Sequence, residues 1–372
     1  MYTKIKRILA AIICLCLFVM SAIPAVAVSR YFTDASISLT QSRFKWFYEQ
    51  EKNSLDVVYI GSSAVYKYDI NVQNWEEYGF TSAGLCSAAQ PFEATRYLIE
   101  ETLKTQSPEL FVIDIRQLVR TAAAEATGDE IYTDNKFETY YSSLFSSLKH
   151  SYTRWKMINS VIEDKETALS WNFEFLRHHN KWQDFESAEE MIHELTDDSD
   201  CQKAASINGI SVTSFLTPIE LRDYESITEK LEVPQKYVEI LDDLISYIKS
   251  ENINVLFIST PSKAKKSQRR IQNWLSDYFE SKDCEYIDYL DYIDEIGLDG
   301  NTDFSDTLHT NLYGAEKWTR YFGAEINRRI GKPEHSQKTV AEWNEASENW
   351  KVERAKLAAE LDVRIAKKSV SS

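Results

Sequence analysis

Basic residues are in short supply in this chain. Lys and Arg number 42 against 58 Asp and Glu, a formal balance of −16. A general nucleic-acid binder needs the opposite balance to neutralise phosphates, so no nucleic-acid partner is expected. Glycine is scarce as well, 10 in 372 residues, and none of it forms a Gly-rich phosphate loop. Of the five cysteines, Cys14 and Cys16 lie in an N-terminal apolar run, leaving Cys86, Cys201 and Cys284. Three widely spaced thiols make neither a disulfide framework nor a metal motif. One bridge can form among them, and the sequence leaves the pair open. The six histidines include no H-E-x-x-H spacing, so neither a metal nor a cofactor is expected. Carboxylates are too evenly spread to single out a glycosidase pair. Internal repeats and low-complexity tracts are absent.

What is present begins at the N-terminus. Lys4, Lys6 and Arg7 precede an uncharged run from Ile8 to Val28. A basic start followed by an apolar stretch directs a chain to export. Pro24 and Ala25-Val26-Ala27 fit a cleaved signal peptide, while the length also suits an uncleaved membrane anchor. Residues 1–30 are therefore signal or anchor, and the rest is expected on the outer side of the membrane, secreted or tethered.

The exported part alternates short apolar runs with amphipathic segments. Asp56–Gly61, Leu110–Ile115, Asn254–Thr260 and Glu285–Tyr289 read as buried strands. Helical patterns fill Phe92–Thr105, the segment after Pro234 with Tyr237, Leu241, Leu244 and Ile248 on one face, and Leu312–Ile330. Such alternation predicts an α/β fold with a parallel sheet covered on both faces, its site at the carboxyl ends of the strands. Residues 31–332 form this domain, with a mostly helical, aromatic-rich insertion at about 121–233. That insertion has helical pieces around Phe137–Val161 and Ala188–Leu195. Residues 333–372 form a helical tail, with Trp343, Trp350 and Leu357 seven apart on one stripe and expected to dock on the domain.

Two motifs carry chemistry. Gly61-Ser62-Ser63 follows the first strand, which presents a serine hydroxyl at the sheet edge. Asp306-Thr307-Leu308-His309 precedes the last helix of the domain. A carboxylate three residues before a histidine can hold its Nδ1 and free Nε2 to act on a nucleophile. Ser63, Asp306 and His309 are the expected catalytic set.

A serine just after the first strand and Asp-x-x-His near the end resemble the SGNH, or GDSL-like, hydrolase superfamily. The resemblance implies a three-layer α/β/α, flavodoxin-like domain and ester hydrolysis or acyl transfer through a serine nucleophile. Gly-Ser-Ser, the membrane-proximal start, Ala88-Ala89-Gln90-Pro91-Phe92, Tyr97–Glu100, Gln106–Leu110 and Arg177–Trp182 are similar to one extracytoplasmic branch. That branch acts in teichoic-acid D-alanylation and exopolysaccharide O-acetylation. It implies a polysaccharide or teichoic-acid-like glycan substrate and a multi-pass membrane O-acyltransferase as partner. The alternative is a catalytically inactive surface protein of the same fold that binds glycan or such a partner.

The chain departs from the superfamily pattern in two places. Ser62 stands where Asp is usual. The blocks that supply a Gly and an Asn to the oxyanion hole are also altered. Gly84 or the small residues Ser87, Ala88 and Ala89 stand near the first, and Asp114-Ile115-Arg116 near the second, with no Asn. Arg116 or Gln90 is expected to replace it. His179, beside His178, and Trp182 are candidates to line the acceptor side of the cleft. Lys263, Lys265, Lys266, Arg269 and Arg270 form the one dense basic cluster, either facing an anionic polymer or forming a solvated first helical turn.

Overall fold

The computed structural model describes residues 2–29, 38–129, 136–173, 206–221 and 223–369. In chain order the elements are α1 (Tyr2–Ser29), α2 (Ser38–Glu49), β1 (Val57–Gly61), α3 (Ser63–Tyr66), α4 (Asn71–Tyr78), β2 (Ser82–Cys86), α5 (Thr95–Thr102) and β3 (Leu110–Asp114). Next come α6 (Arg116–Thr127), α7 (Lys136–Ser147), α8 (Tyr152–Val161), α9 (Lys165–Asn172), α10 (Gln235–Ser250) and β4 (Val255–Ser259). The chain continues with α11 (Lys266–Ser281), β5 (Tyr286–Asp288), α12 (Ile293–Ile296), α13 (Leu312–Ile330) and α14 (Gln337–Ser369).

The five strands form one all-parallel sheet in the order β2-β1-β3-β4-β5. Alternation along each strand builds two cores. Val58, Ile60, Phe111, Ile113 and Phe257 face a layer that includes α2, α5, α6, α10 and α11. Val57, Tyr59, Val112, Leu256 and Ile258 face α3, α12 and α13, with Trp318, Phe322 and Tyr289 at the centre. Side chains of a strand point alternately to opposite faces, so both faces being apolar gives the continuous runs seen in the sequence. The expected three-layer α/β/α architecture is what the chain adopts.

The order also locates the site. From β1 the chain steps outward to β2 and then returns to place β3 on the other side of β1. Such a reversal opens a crevice beyond the carboxyl ends of the two central strands. Ser63 and Arg116 follow β1 and β3 at that edge.

Three differences from the sequence reading concern local structure. Gly84, expected in a turn, lies inside β2, paired with Tyr59 of β1. Ser-Ala-Gly-Leu-Cys has few β-formers, and its pairing to β1 overrides its composition. The helical piece at Phe137–Val161 is two helices, α7 and α8, broken at 148–151, where Ser151 caps α8 by accepting from Arg154 N at 3.1 Å. Finally, α6 runs across the boundary expected at 121. The piece at Ala188–Leu195 lies outside the described residues.

The tail helix α14 docks, with Trp343, Trp350 and Leu361 buried and Leu357 partly so. Trp343 packs edge-on against Trp46 at 6.0 Å and near Trp75 at 5.9 Å. In α1, Ile8, Ile12 and Phe18 are exposed. Among the described residues, no helix is long and apolar enough to cross a membrane. The side chains of α1 are described only for Lys6–Met20, so the expected span to Val28 lies partly outside them. Cys86 and Cys284 are free thiols, and Cys201 is outside the described residues.

Candidate active site

Ser63 is the first residue of α3, immediately past the strand end. Ser62 caps that helix, its Oγ accepting from Ala64 N at 3.4 Å. The turn requires Gly61. A Cβ there would stand 2.8 Å from Val65 Cγ2 and 3.0 Å from Asp114 Cβ, so only glycine lets α3 fold back beside β3.

The loop before α13 delivers the other two groups. Asn311 caps α13, accepting from Tyr313 N at 3.1 Å and Gly314 N at 3.3 Å, and Ser305 N donates to His309 O at 2.9 Å. Thr310 Oγ1 donates to Lys67 O at 2.7 Å, which ties this loop to the end of α3. Within it, Asp306 Oδ1 accepts from Leu308 N at 2.7 Å and His309 N at 3.0 Å.

The three expected residues meet. Asp306 Oδ2 lies 2.8 Å from His309 Nδ1, and His309 Nε2 lies 2.7 Å from Ser63 Oγ. A carboxylate accepts only, so Nδ1 carries the ring proton and Nε2 accepts from the Ser63 hydroxyl. Burial lowers the His309 pKa by more than the Asp306 bond raises it, and the charges of Arg116 and Lys67 lower it further. The ring is thus held neutral, the form a general base needs. Burial pushes Asp306 up, but its bonds from the His309 ring and from Leu308 and His309 N–H outweigh this and leave it below its ordinary value.

Around this set the other candidates fare differently. Gln90 is buried and braces the turn after β2, with Nε2 donating to Leu85 O at 3.3 Å and Oε1 accepting from Ser87 Oγ at 3.3 Å. It is occupied where the sequence suggested a free donor. Gly84 sits in the strand rather than in this turn. Ala88 is in the turn, and Ala89 beside it has φ +43°, a left-handed conformation costing a non-glycine residue about 1 kcal/mol. A cavity of about 160 Å³ adjoins the turn, with Ala89, Phe92, Gln117, Tyr141 and Tyr237 in its wall. A larger one of about 460 Å³ lies between α2 and α14, and neither cavity includes Ser63, Asp306 or His309. His179 and Trp182 lie outside the described residues.

Arg116 is buried at the first position of α6, its N–H held by Asp114 Oδ1 at 3.0 Å. Its Nη1 donates to Tyr68 Oη at 3.3 Å. Tyr68 Oη in turn bonds Pro261 O, and Leu308 O at 3.1 Å, so one hydroxyl links the segment after α3, the loop after β4 and the histidine loop. Lys67 is the residue that sequence reasoning missed. Burial first, and then the charge of Arg43, push its pKa down to about 8, while Nζ donates to Ser211 O at 2.7 Å. No sequence spacing betrays it, because only the turn after Ser63 brings it near His309.

The basic cluster is largely neutralised. Lys265 pairs with Asp129 at 3.5 Å, Lys266 with Glu229 at 2.9 Å, and Arg269 with Asp288 and Asp291 at 2.6 and 2.5 Å. Lys265 and Lys266 stay exposed at the start of α11, while Arg269 is buried. Among the described residues no group of three or more His, Cys, Asp or Glu could hold a metal ion. Comparison of the chain with known protein families, with curated proteins and with solved structures found no match to any of them.

Proposed function

We propose that the chain is an extracytoplasmic serine esterase or O-acyltransferase acting on acyl esters of cell-envelope or exported polysaccharide. The observation that carries this is the unbroken line of hydrogen bonds Ser63–His309–Asp306, at 2.7 and 2.8 Å. Three side chains from two motifs each fill one role of an acyl-transfer site, and a neutral His309 is poised as base.

In this mechanism Ser63 Oγ attacks the ester carbonyl as His309 Nε2 takes its proton, and Asp306 steadies the imidazolium that forms. His309 then protonates the departing alcohol, leaving an acyl group on Ser63. Water, or a sugar or polyol hydroxyl, repeats the sequence in reverse. Water makes an esterase and a glycan hydroxyl a transferase.

Export rests on the basic, apolar N-terminus and on the exposed apolar residues of α1. The glycan substrate and a multi-pass membrane O-acyltransferase partner rest on resemblance to the extracytoplasmic branch. Labelling with a serine-directed fluorophosphonate tests the chemistry. A single adduct on the wild type, absent from Ser63→Ala and His309→Ala, supports it. No adduct under conditions that label a control esterase refutes it and leaves an inactive glycan- or partner-binding protein.

A further inference from the structure

We propose that Arg116 supplies the side-chain hydrogen bond to the oxyanion formed when Ser63 attacks an ester, in the place of a neutral amide. This inference rests on the serine-nucleophile reading above. It begins with register. Ile60 of β1 lies against Ile113 of β3, and past the ends of these adjacent strands Ser63 opens α3 and Arg116 opens α6.

The guanidinium there is unusual. Arg116 is 4% exposed, and among the described residues its one hydrogen bond from the head group is to Tyr68 Oη. Its carboxylate neighbour Asp114 feels the Arg116 charge but makes no bond to the guanidinium, with Oδ1 on Arg116 N and Oδ2 on Thr260 N, both at 3.0 Å. The remaining N–H groups of the head have no hydrogen-bond partner among the described residues and are not among the fully sealed side-chain atoms. With Asp114 supplying charge but no hydrogen bond, the guanidinium keeps donors that a further anionic acceptor would satisfy. At this edge of the sheet the group that turns negative is the carbonyl oxygen under attack by Ser63.

Its mounting suits that task. The guanidinium lies over the Tyr68 ring, 5.3 Å from the centroid, and Tyr68 is fixed by the carbonyls of Pro261 and Leu308. A donor that is already held costs no reorganisation when charge develops. The other side chain that could serve, Gln90, is engaged within its own turn. Arg116 also depresses the His309 pKa, which places its charge within electrostatic reach of the reacting groups.

The electron movements are complete without further reagents. The Ser63 Oγ–C bond forms as the proton goes to His309 Nε2, and the carbonyl π pair moves onto oxygen, where Arg116 N–H meets it. Collapse restores the carbonyl, breaks the bond to the alcohol, and returns the proton to that alcohol. A positive donor opposes the imidazolium, and Asp306 on the far side of the ring offsets this.

The test uses the full chain with 4-nitrophenyl acetate as substrate and phenylboronic acid as a tetrahedral anionic mimic on Ser63. Arg116→Gln is expected to lower kcat on the order of 100- to 1,000-fold with KM little changed. Boronate affinity should fall by a factor close to that in kcat/KM, because both report the anion. Arg116→Lys should recover part of each. If Arg116→Gln does not fold, judged by circular dichroism, Arg116→Met keeps the stem without the charge and takes its place. A variant within threefold of wild type, or a loss carried wholly by KM, overturns the proposal alone. A wild type that neither hydrolyses the ester nor binds boronate, like Ser63→Ala, overturns the triad reading and this proposal with it.

Discussion

Replacing Asp306 by Asn changes one atom of a residue that accepts three hydrogen bonds. Oδ1 holds Leu308 N–H and His309 N–H, and Oδ2 holds the Nδ1 proton of His309. An asparagine has one acceptor oxygen for these two sites. With its carbonyl on the two backbone N–H groups, its NH2 faces Nδ1, which must then give up its proton to Nε2. The imidazole so arranged cannot deprotonate Ser63. The opposite amide orientation restores the working tautomer but forfeits two backbone bonds of about 1 kcal/mol each. That 2 kcal/mol leaves about one molecule in 30 competent, since 1.4 kcal/mol is a tenfold ratio. A tautomer lock of this kind has a known ceiling near 10⁴. The Asp306 side chain is 51% exposed, so solvent screens its charge and the tautomer carries most of the effect. The expected loss in kcat/KM for Asp306→Asn is therefore between about 30- and 10⁴-fold. It is read with 4-nitrophenyl acetate on protein whose thermal melt matches the wild type. A folded Asp306→Asn enzyme losing less than tenfold would refute the claim that this carboxylate sets the His309 tautomer.

Three further outcomes follow from the same contacts. His309 must be neutral to accept the Ser63 proton, and its pKa is depressed, so activity lost on acidification should hold to below pH ~6.5. A kcat/KM profile with its acid limb above 7 would contradict that sign. Gly61→Ala drives a methyl into Val65 and Asp114 and should cost about 1–3 kcal/mol, seen in urea unfolding. It should also cut the esterase rate on the order of 100-fold by displacing Ser63, so an unchanged rate would show that the turn tolerates the shift. Arg269→Met leaves the buried Asp288 with the Gln272 amide and Leu290 N–H but no cation. A loss of about 3–5 kcal/mol is expected by urea titration, and a stabilised variant would mean that desolvation outweighs the ion pair.

The Ser63, His309 and Asp306 set was legible because its signals are local. Gly61-Ser62-Ser63 ends an apolar run, and Asp306 to His309 is a four-residue motif set against a helix that runs from Leu312 to Ile330, as its pattern indicates. The helix over 235–250 buries the four residues its periodicity singled out, Tyr237, Leu241, Leu244 and Ile248. What escaped depends on partners distant in the chain. Ser82–Cys86 is a strand because β1 offers it a ladder, and its own small residues give no such sign. Gln90 reads as a free amide until its turn closes on Ser87 and Leu85. Lys67 has no motif, and the basic run at 263–270 shows no acidic partners until Asp129, Glu229 and Asp288 fold beside it.

Ser63 and His309 are 246 residues apart, and the bonds of Tyr68 and Thr310 that register their loops span similar distances. Neither end of the chain contains a smaller competent unit. Contacts of such separation form only after the intervening sheet has assembled, since loop closure is an entropic cost met before they can repay it. On the proposed serine-nucleophile reading, reactivity at Ser63 is therefore a gauge of whether the whole sheet has closed. During refolding, compaction and helix content should return while the serine is still inert, and its chemistry should be the last property to come back.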